Sequence, residues 1–456
     1  MKRYLLVFLL FGLAVQPVWA ETVEHTLANG LKVIVKTDRR APVVVSQIWY
    51  KAGSIDETTG TTGVAHATEH MMFKGTKKVP GAEFSRLIAA AGGRENAFTA
   101  SDHTAYFQTL PVDKLGLAFR LEADRMAHLS LKASDFAKEI QVVMEERRMR
   151  TEDNPGAKLY EALMATAYEE HPYHNPVIGW MGDLKNMTVG DVRHWYHTWY
   201  APDNATLVVV GDVEPKKVFA LAQKYFGPIP AHKLPVRKAV AEPEQSGEKQ
   251  VVVKAPAKLP EVLMAWKAPR LVDPVKDVDP YALEVLSGIL DGNDSARLPR
   301  ALVKEQQVAI DVGTDYDPVL RGPGTFLIEA TPNQGKTVAE VEAAIQDQIK
   351  QIQDKGVDAQ ELARVKAQVI AGHVFQQDSL FYQAMRLGDW VTAGYRWQDI
   401  DRRLAGIKAV TAAQVQAAAK KYFVDDHLTI GTLDPQPLSK KQRNSNPTSL
   451  GGGNVR

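Results

Sequence analysis

Positions 63–76 of the sequence read GVAHATEHMMFKGT. The predictions of both the fold and the function start from this stretch. No Gly or Pro interrupts positions 64–74, so the run predicts a short helix. Residues three and four positions apart share one face of a helix. His66, Glu69 and His70 are therefore expected to point the same way.

Two imidazoles one helical turn apart can bind one metal ion, and tetrahedral Zn²⁺ sites use such nitrogens at about 2.0–2.1 Å. Glu69 stands next to the second His without being needed as a ligand. A carboxylate in that place can take a proton from a water that the metal activates. The order is the reverse of the thermolysin-type His-Glu-x-x-His motif, and the reversed motif is itself a metallopeptidase signature. Because such a pattern also occurs by chance on a solvated helix, it needs a third ligand.

Positions 136–148, FAKEIQVVMEERR, predict a second helix, which carries the candidates for the third ligand. Glu139 and Glu146 lie seven residues apart, which is two helical turns, so they share a face. Glu145 is rotated by about 100° from Glu146 and is expected at the surface. Geometry alone leaves Glu139 and Glu146 both open as ligands.

Together these stretches resemble the pitrilysin-type inverse-zinc peptidases, a family that includes insulin-degrading enzyme and the mitochondrial processing peptidase. In that family the third zinc ligand is a Glu about 76 residues after the second His, which is the interval from His70 to Glu146. A Glu seven residues earlier, which supports the site without binding the ion, corresponds to Glu139. The resemblance implies one Zn²⁺ per chain, bound by His66, His70 and Glu146, with Glu69 as the general base.

Positions 94–107, RENAFTASDHTAYF, predict two strands joined by a tight turn at 101–102. The family has a similar Asn-Ala-x-Thr stretch as the edge strand beside the zinc, where the substrate peptide adds on. Asn96 and Ala97 match it and are predicted to bind substrate. An ordinary hairpin is the alternative, because residue types alone do not show which strand is an edge.

Another candidate for metal binding is the pair of imidazoles in the loop His171-Pro172-Tyr173-His174. Pro172 argues against a metal site there. We therefore predict a surface loop.

Residues 1–20, MKRYLLVFLLFGLAVQPVWA, have the positive start, apolar run and small cleavage-site residues of a signal peptide, and we predict cleavage after Ala20. A membrane anchor is the alternative, but the apolar run is short for a span. The chain has no Cys, which fits a periplasmic protein that does not rely on disulfides. The net charge of +1 gives no indication of binding to nucleic acid or to an anionic membrane.

Strand clusters and helix clusters alternate in both halves, without the regular rhythm of a parallel α/β fold. The pattern Thr188–Tyr200 followed by a strand is repeated at Thr411–Phe423. We predict an α+β fold of two duplicated domains, each a mostly antiparallel sheet packed with helices, which the resemblance implies face each other as a clam-like chamber. The predicted organisation is a signal peptide (1–20), a catalytic zinc peptidase domain (21–228), an exposed linker (229–249), a homologous non-catalytic domain (250–435) and a disordered tail (436–456).

The second half lacks the metal motif. Its helix predicted at 359–375 replaces the helix of Glu139 and Glu146, with Val365 and Gly372 at the two Glu positions. Active family members also carry there an Arg and a Tyr that hold the substrate backbone. When the family pattern is aligned on Arg297-Leu298, the positions of this Arg and Tyr are occupied by Val303 and Ile310. Neither side chain can donate a hydrogen bond. Either a zinc-less homologous partner subunit supplies this pair, or a monomer or homodimer holds substrate by the edge strand alone.

The resemblance implies a zinc-dependent endopeptidase that hydrolyses short or unfolded peptides in the cell envelope. A catalytically weak peptide-binding or assembly subunit is the alternative, because some family members have lost catalysis. The intact set of His66, Glu69, His70 and Glu146 argues against it. A purely structural zinc site is also disfavoured, because such sites are closed and rich in Cys, whereas this pattern leaves one position open.

Overall fold

The structure is a computed structural model that describes residues 21–438. The predicted signal peptide lies outside the described residues, as does the predicted tail from position 439 onward. Among residues 21–438, no helix has the length and apolar character to cross a membrane. The strands form two sheets, one of six strands and one of five, with helices packed around both. The α+β prediction is therefore confirmed.

The first sheet contains strands β1 (Thr22–Thr26), β2 (Lys32–Thr37), β3 (Val43–Tyr50), β4 (Arg94–Thr99), β5 (Thr104–Pro111) and β6 (Ala205–Gly211). Their order across the sheet is β1-β2-β6-β3-β5-β4, so β4 is an edge strand. All neighbouring strands are antiparallel except β2 and β6. The stretch that the family resemblance implies to be an edge strand is therefore at an edge.

The first half also contains helices α1 (Val64–Met72), α2 (Glu83–Ala90), α3 (Leu115–His128), α4 (Ala133–Arg147), α5 (Pro155–Ala167), α6 (Met181–Asn186), α7 (Val189–Trp199) and α8 (Pro215–Tyr225). A π-helical turn, Arg148–Glu152, continues α4. Thr188 caps α7, because its side chain accepts a hydrogen bond from the backbone of Asp191. Buried apolar residues of α1, α3, α4 and α7 pack on one face of the first sheet.

The second sheet contains β7 (Lys249–Pro256), β8 (Glu261–Ala268), β9 (Ala309–Asp315), β10 (Gly324–Pro332) and β11 (Leu428–Gln436), in the order β7-β11-β8-β10-β9. Its helices are α9 (Asp279–Asp291), α10 (Val338–Lys355), α11 (Ala359–Phe375), α12 (Leu380–Ala393), α13 (Asp399–Ala409) and α14 (Ala412–Tyr422). Residues Pro299–Glu305 form a π-helix. Because β11 continues to Gln436, the strand enters the segment predicted as a disordered tail.

The two halves repeat one plan. In each, the last strand pairs in parallel with an early strand of the same half, β6 with β2 and β11 with β7. In each, a hairpin ends the sheet. Its outer strand is β4 at the edge of the first sheet and β9 at the edge of the second sheet. This matching order of strands is what a duplication produces.

Each half also contributes one helix to the other half's sheet. Helix α5 packs Leu159 and Leu163 against the second sheet, on the residues Ala255, Leu263, Ala265, Leu327 and Leu433. Helix α12 packs on the outer face of the first sheet, where Ala384, Met385 and Leu387 join Ile34, Val45, Trp49, Val208 and Val210. At Gly388 of α12 a Cβ would lie 2.0 Å from the Trp49 ring, so this close approach requires glycine. The halves are thus packed through reciprocal helices.

A polar clasp, here meaning Asp56, Asp102, Arg237 and Arg321, joins the linker and the second half to the first. Asp56 accepts two hydrogen bonds from Arg321, at 2.7 and 2.8 Å, and one from Arg237 at 2.8 Å. Asp102 accepts from the backbone N–H of Arg321 at 2.7 Å. The side chains of Asp56 and Arg321 are only 4% and 9% exposed, so this ion pair is buried.

The clasp shows that the predicted linker, 229–249, does not run freely in solvent. Arg237 also stacks on the ring of Trp199 at 4.3 Å, and Gln245 is buried. Lys249 already belongs to β7. The prediction of exposure is wrong at these points, because long-range contacts hold a segment whose composition alone resembles a solvated linker.

Candidate metal centre and active site

Helix α1 is held in place at its N-terminus by a buried carboxylate and by two glycines. Glu57 accepts hydrogen bonds from the backbone N–H groups of Gly63 and Ala65, both at 2.8 Å. Burial raises the pKa of Glu57 to about 8, although both hydrogen bonds favour its charged form. Gly63 and Gly179 both have φ of +85° and approach so closely that a Cβ on Gly179 would lie 2.6 Å from Cα of Gly63. These contacts fix the position of the motif helix.

The structure brings His66, His70 and Glu146 together. The Nε2 atom of His66 lies 3.8 Å from Oε1 of Glu146, and Nε2 of His70 lies 3.2 Å from Oε2 of the same carboxylate. One ligand atom from each residue lies within 4.8 Å of the others. Within residues 21–438 this is the one such group of three or more His, Cys, Asp or Glu side chains.

These distances and groups fit a zinc ion. Ligand atoms about 2.0–2.1 Å from a tetrahedral ion are about 3.3 Å from each other, close to the observed separations. Burial lowers the pKa of His66 to about 4, so the ring is neutral and its nitrogen can bind a metal. Burial alone would lower the pKa of His70, but its hydrogen bonds to Glu146 and Glu139 raise it overall. The carboxylates of Glu139 and Glu146 therefore favour a positively charged group beside His70.

Glu139 contacts the far side of the His70 ring rather than the cluster. Its Oε1 lies 3.1 Å from Nδ1 of His70, and its other oxygen is paired with Lys74. A carboxylate that accepts the Nδ1 proton fixes the tautomer in which Nε2 is free to bind a metal. This position corresponds to the supporting role predicted for Glu139.

Glu69 lies on the same face of α1 and lines the same cavity as the three candidate ligands. Thr99 of β4 donates a hydrogen bond to Oε2 of Glu69 at 2.5 Å. Burial raises the pKa of Glu69, and this hydrogen bond opposes the shift. A partly desolvated carboxylate of this kind is suited to accept and return a proton. Thr99 was not predicted as a site residue, although it occupies the last position of the Asn-Ala-x-Thr pattern.

The cavity has a volume of about 740 Å³ and runs along the open edge of β4. The N–H of Ala100 donates to the carbonyl of His103, and hydrogen-bonded pairs alternate along an antiparallel ladder. The backbone of Ala97 therefore faces away from β5, and its N–H instead donates to Oδ1 of Asn96 at 2.9 Å. Asn96 itself is exposed. Both predicted substrate-binding residues thus lie on the open edge beside the metal cluster.

Arg150, on the π-helical turn, was also not predicted as a site residue. Its side chain is 72% exposed, lines the cavity and pairs with Oε1 of Glu146 at 2.8 Å. The α-helical spacing from Glu146 indicates this pair, but not that both side chains enter the cavity.

The prediction of a surface loop at 171–174 is wrong for His171. This residue is 4% exposed, and its backbone N–H donates to Glu242 of the linker at 2.9 Å. A Cβ added at Gly322 would lie 2.3 Å from the His171 ring, so the second half covers the loop. The covering segments lie far away in the sequence. His171 and His174 do not join the metal cluster.

The positions in the second half that correspond to Glu139 and Glu146 carry no ligand group. Val365 of α11 packs against Gly288 of α9, and a Cβ at Gly372 would meet no atom within 4 Å. Ser287 and Thr314 share a hydrogen bond of 2.8 Å that resembles the contact between Glu69 and Thr99. The second half therefore keeps a hydrogen bond between helix α9 and edge strand β9, but it has no ligands at the positions of Glu139 and Glu146.

The two residues at the positions of the missing Arg and Tyr are both apolar but differ in burial. Val303 packs against the second core, and Ile310, on edge strand β9, is 49% exposed. Neither side chain lines the cavity beside the metal cluster.

The fold and the candidate metal site match the two-domain plan expected of the inverse-motif family, and sequence comparison identifies the family. The family model of insulinase (peptidase family M16) matches residues 32–180, and that of the peptidase M16 inactive domain matches residues 186–369. The zinc protease PqqE of Helicobacter pylori is 32% identical over 416 residues, which are 90% of this chain and 92% of that protein. This chain belongs to peptidase family M16.

Solved structures agree with this assignment. The crystal structure of a protease from Helicobacter pylori matches with a TM-score of 0.86 and 30% identity, over 91% of this chain and 100% of that one. The peptidase M16 inactive domain from Pseudomonas fluorescens matches with a TM-score of 0.80 over 92% of this chain and 99% of that one. At 19% identity the second similarity shows the fold alone.

Proposed function

We propose that this chain is a zinc-dependent endopeptidase that hydrolyses short or unfolded peptides. The observation that carries the proposal is the convergence of His66, His70 and Glu146, with Glu69, in one cavity beside an open strand edge. The naming of relatives as zinc proteases supports it. A bound zinc ion would supply Lewis acidity to a water molecule and to the peptide carbonyl.

The residues of the chain have separate roles in this proposal. His66, His70 and Glu146 hold the ion, and Glu139 orients the His70 ring. Glu69 accepts a proton from the attacking water and passes it to the leaving amine.

The edge strand binds substrate in the proposal. Ala97 offers its backbone to an extended peptide, which adds to β4 as a further strand. Main-chain pairing of this kind demands an extended chain, so stably folded proteins should resist cleavage.

The decisive experiment is incubation of the purified protein with a mixed peptide library, with and without a chelator. We expect hydrolysis that the chelator abolishes and zinc restores. Efficient cleavage that persists after zinc removal would contradict the metal-dependent function, as would an inert, zinc-loaded protein.

We further propose that the chain is exported and acts in the periplasm, on the basis of the composition of residues 1–20. Recovery of the protein in the periplasmic fraction, with an N-terminus at Glu21, tests this. Recovery of uncleaved protein in the cytoplasmic fraction would contradict it.

Val303 and Ile310 lead to two proposals about assembly, a zinc-less homologous partner subunit or a homodimer or monomer. Activity of the isolated chain, compared before and after a co-purifying homologue is added, distinguishes them. Full activity in isolation would exclude a required partner.

A further inference from the structure

The catalytic cavity contains an aromatic surface on the side of β4 that faces away from the metal. This aromatic wall consists of Phe98, Phe107 and Phe381, all of which line the same cavity as the metal cluster. The rings of Phe107 and Phe381 pack edge to face with centroids 4.8 Å apart, and Phe98 lies 6.4 Å from Phe107. Phe381 comes from α12, so the second half completes a surface of the first.

The two faces of β4 therefore differ in chemistry. Phe98 packs on the side of the sheet that α12 covers. Ala97 and Thr99 face the other side, where Ala97 joins the first core and Thr99 donates to Glu69. One face leads to the metal and the proton acceptor, and the other leads to the aromatic wall.

A peptide that adds to β4 must present its side chains to both faces in turn, because side chains alternate along a strand. The residue paired with Ala97 turns its side chain toward the metal. Its two neighbours, paired with Asn96 and Phe98, turn theirs toward the wall, since directly opposed residues share a face. The wall rings are only partly buried, so an apolar side chain placed on them removes further apolar surface from water.

We propose that the aromatic wall is a substrate subsite that selects large apolar or aromatic residues at alternate positions of the bound peptide, with Phe381 as its specificity-determining residue. This inference rests on the proposed function and names the class of substrate. It also assigns the non-catalytic half a direct contact with substrate.

Binding measurements separate the wall from catalysis. The host is zinc-loaded protein carrying Glu69→Gln, and the probes are fluorescein-labelled Ser-rich peptides in which one Phe occupies each position in turn. By anisotropy we expect Phe to be preferred over Ser by about tenfold or more at two positions separated by one residue. Adding Phe381→Ala should reduce that preference several-fold at one or both positions, and Phe381→Leu should reduce it less.

Phe375→Ala is the matched control. It removes the same ring from the second half, but Phe375 lies on α11, is 72% exposed and does not line the cavity. It should leave the preference unchanged. Equal preferences in the Phe381→Ala, Phe381→Leu and Phe375→Ala proteins would overturn the inference, as would a host with no preference for Phe. If Phe381→Ala fails to fold, the comparison of Phe381→Leu with Phe375→Ala still decides.

The same peptides tested for hydrolysis by protein that retains Glu69 distinguish a failure of the aromatic wall from a failure of the endopeptidase function. Hydrolysis without any dependence on Phe381 overturns the wall and leaves the endopeptidase function. Selective binding that depends on Phe381, but without hydrolysis, overturns the endopeptidase function and leaves the wall.

Discussion

At the scale of single residues, metal binding and hydrolysis should respond to different side chains. His70→Ala and Glu146→Gln each remove a ligand atom and should lower zinc from about one ion per chain to nearly none. Glu69→Gln should retain zinc and lose about 10²–10⁴-fold in hydrolysis, because a general base is removed. Elemental analysis and peptide assays on the same preparations check this. Wild-type hydrolysis by Glu69→Gln would show that another group accepts the proton.

Glu139 should affect zinc through the His70 ring. Glu139→Gln weakens the acceptor for Nδ1 and should lower zinc affinity about 10–100-fold without abolishing binding. Competition with a chromogenic chelator measures the affinity. Glu145→Gln is the control on the same helix, because Glu145 is 61% exposed and pairs with Arg148. Complete loss of zinc in Glu139→Gln would instead make Glu139 a ligand.

The site could be predicted from the sequence where spacing within one helix decides, and less where distant elements meet. His66, Glu69 and His70 follow from helical periodicity alone. Glu146 needed the resemblance, because periodicity left Glu139 equally possible. Phe381 escaped prediction, since its place in the cavity depends on how α12 crosses the first sheet.

At the scale of elements, the contact between Gly63 and Gly179 should set the position of α1. Gly179→Ala must adopt a left-handed φ, which costs about 1–3 kcal/mol, and its Cβ would lie 2.4 Å from the carbonyl of Thr62. We expect a lower melting temperature and weaker zinc binding. Calorimetry and chelator competition measure the two effects.

Gly182→Ala provides the control for this substitution. Gly182 lies three residues away in α6, its φ is not positive, and a Cβ there would meet no atom within 4 Å. The change should be neutral or stabilise by up to about 1 kcal/mol. Equal stability of the two variants would show that the close glycine contact does not constrain α1.

Elements with one clear apolar face were predicted well, and those packed on two sides were not. The hairpin of β4 and β5 and the capped helix α7 follow the sequence pattern. Helix α12 escaped prediction, because Met385 faces the first sheet while Trp390 enters the second core, which leaves no single apolar stripe. Helices α8 and α13 were also not predicted, and two-sided packing does not explain α8, which packs only on the first core.

At the scale of the whole molecule, the polar clasp should make the stability of the packed halves depend on pH, with a loss of stability in acid. Burial raises the pKa of Asp56, but hydrogen bonds and charge from Arg321 and Arg237 outweigh burial, so the pKa lies below its usual value. The stabilisation of the fold by the ionised Asp56 carboxylate is therefore complete above the unfolded-state pKa of about 3.9. It is lost as the pH falls through the folded-state pKa.

Asp56→Asn should accordingly destabilise the protein by about 3–5 kcal/mol near neutral pH, because it leaves buried guanidinium groups without their partner. The difference from wild type should shrink below about pH 4. Denaturant unfolding across pH measures it. Asp212→Asn, which breaks an exposed pair with Arg39, is the control and should change little at any pH. A difference for Asp56→Asn that does not begin to shrink as the pH falls below about 4 would contradict the assignment.

The reciprocal helices have a consequence for how such a chain originates. A half produced alone would leave one face of its sheet bare and one helix without a surface to cover, and a second copy of the same half would satisfy both needs at once. In a two-fold homodimer, each subunit likewise contributes to its partner the same element that it receives from it. The chain is in this sense a dimer whose subunits have been joined end to end. Within residues 21–438 only the first of the two joined units carries the candidate metal ligands, so the second can differ from it in sequence at the corresponding positions.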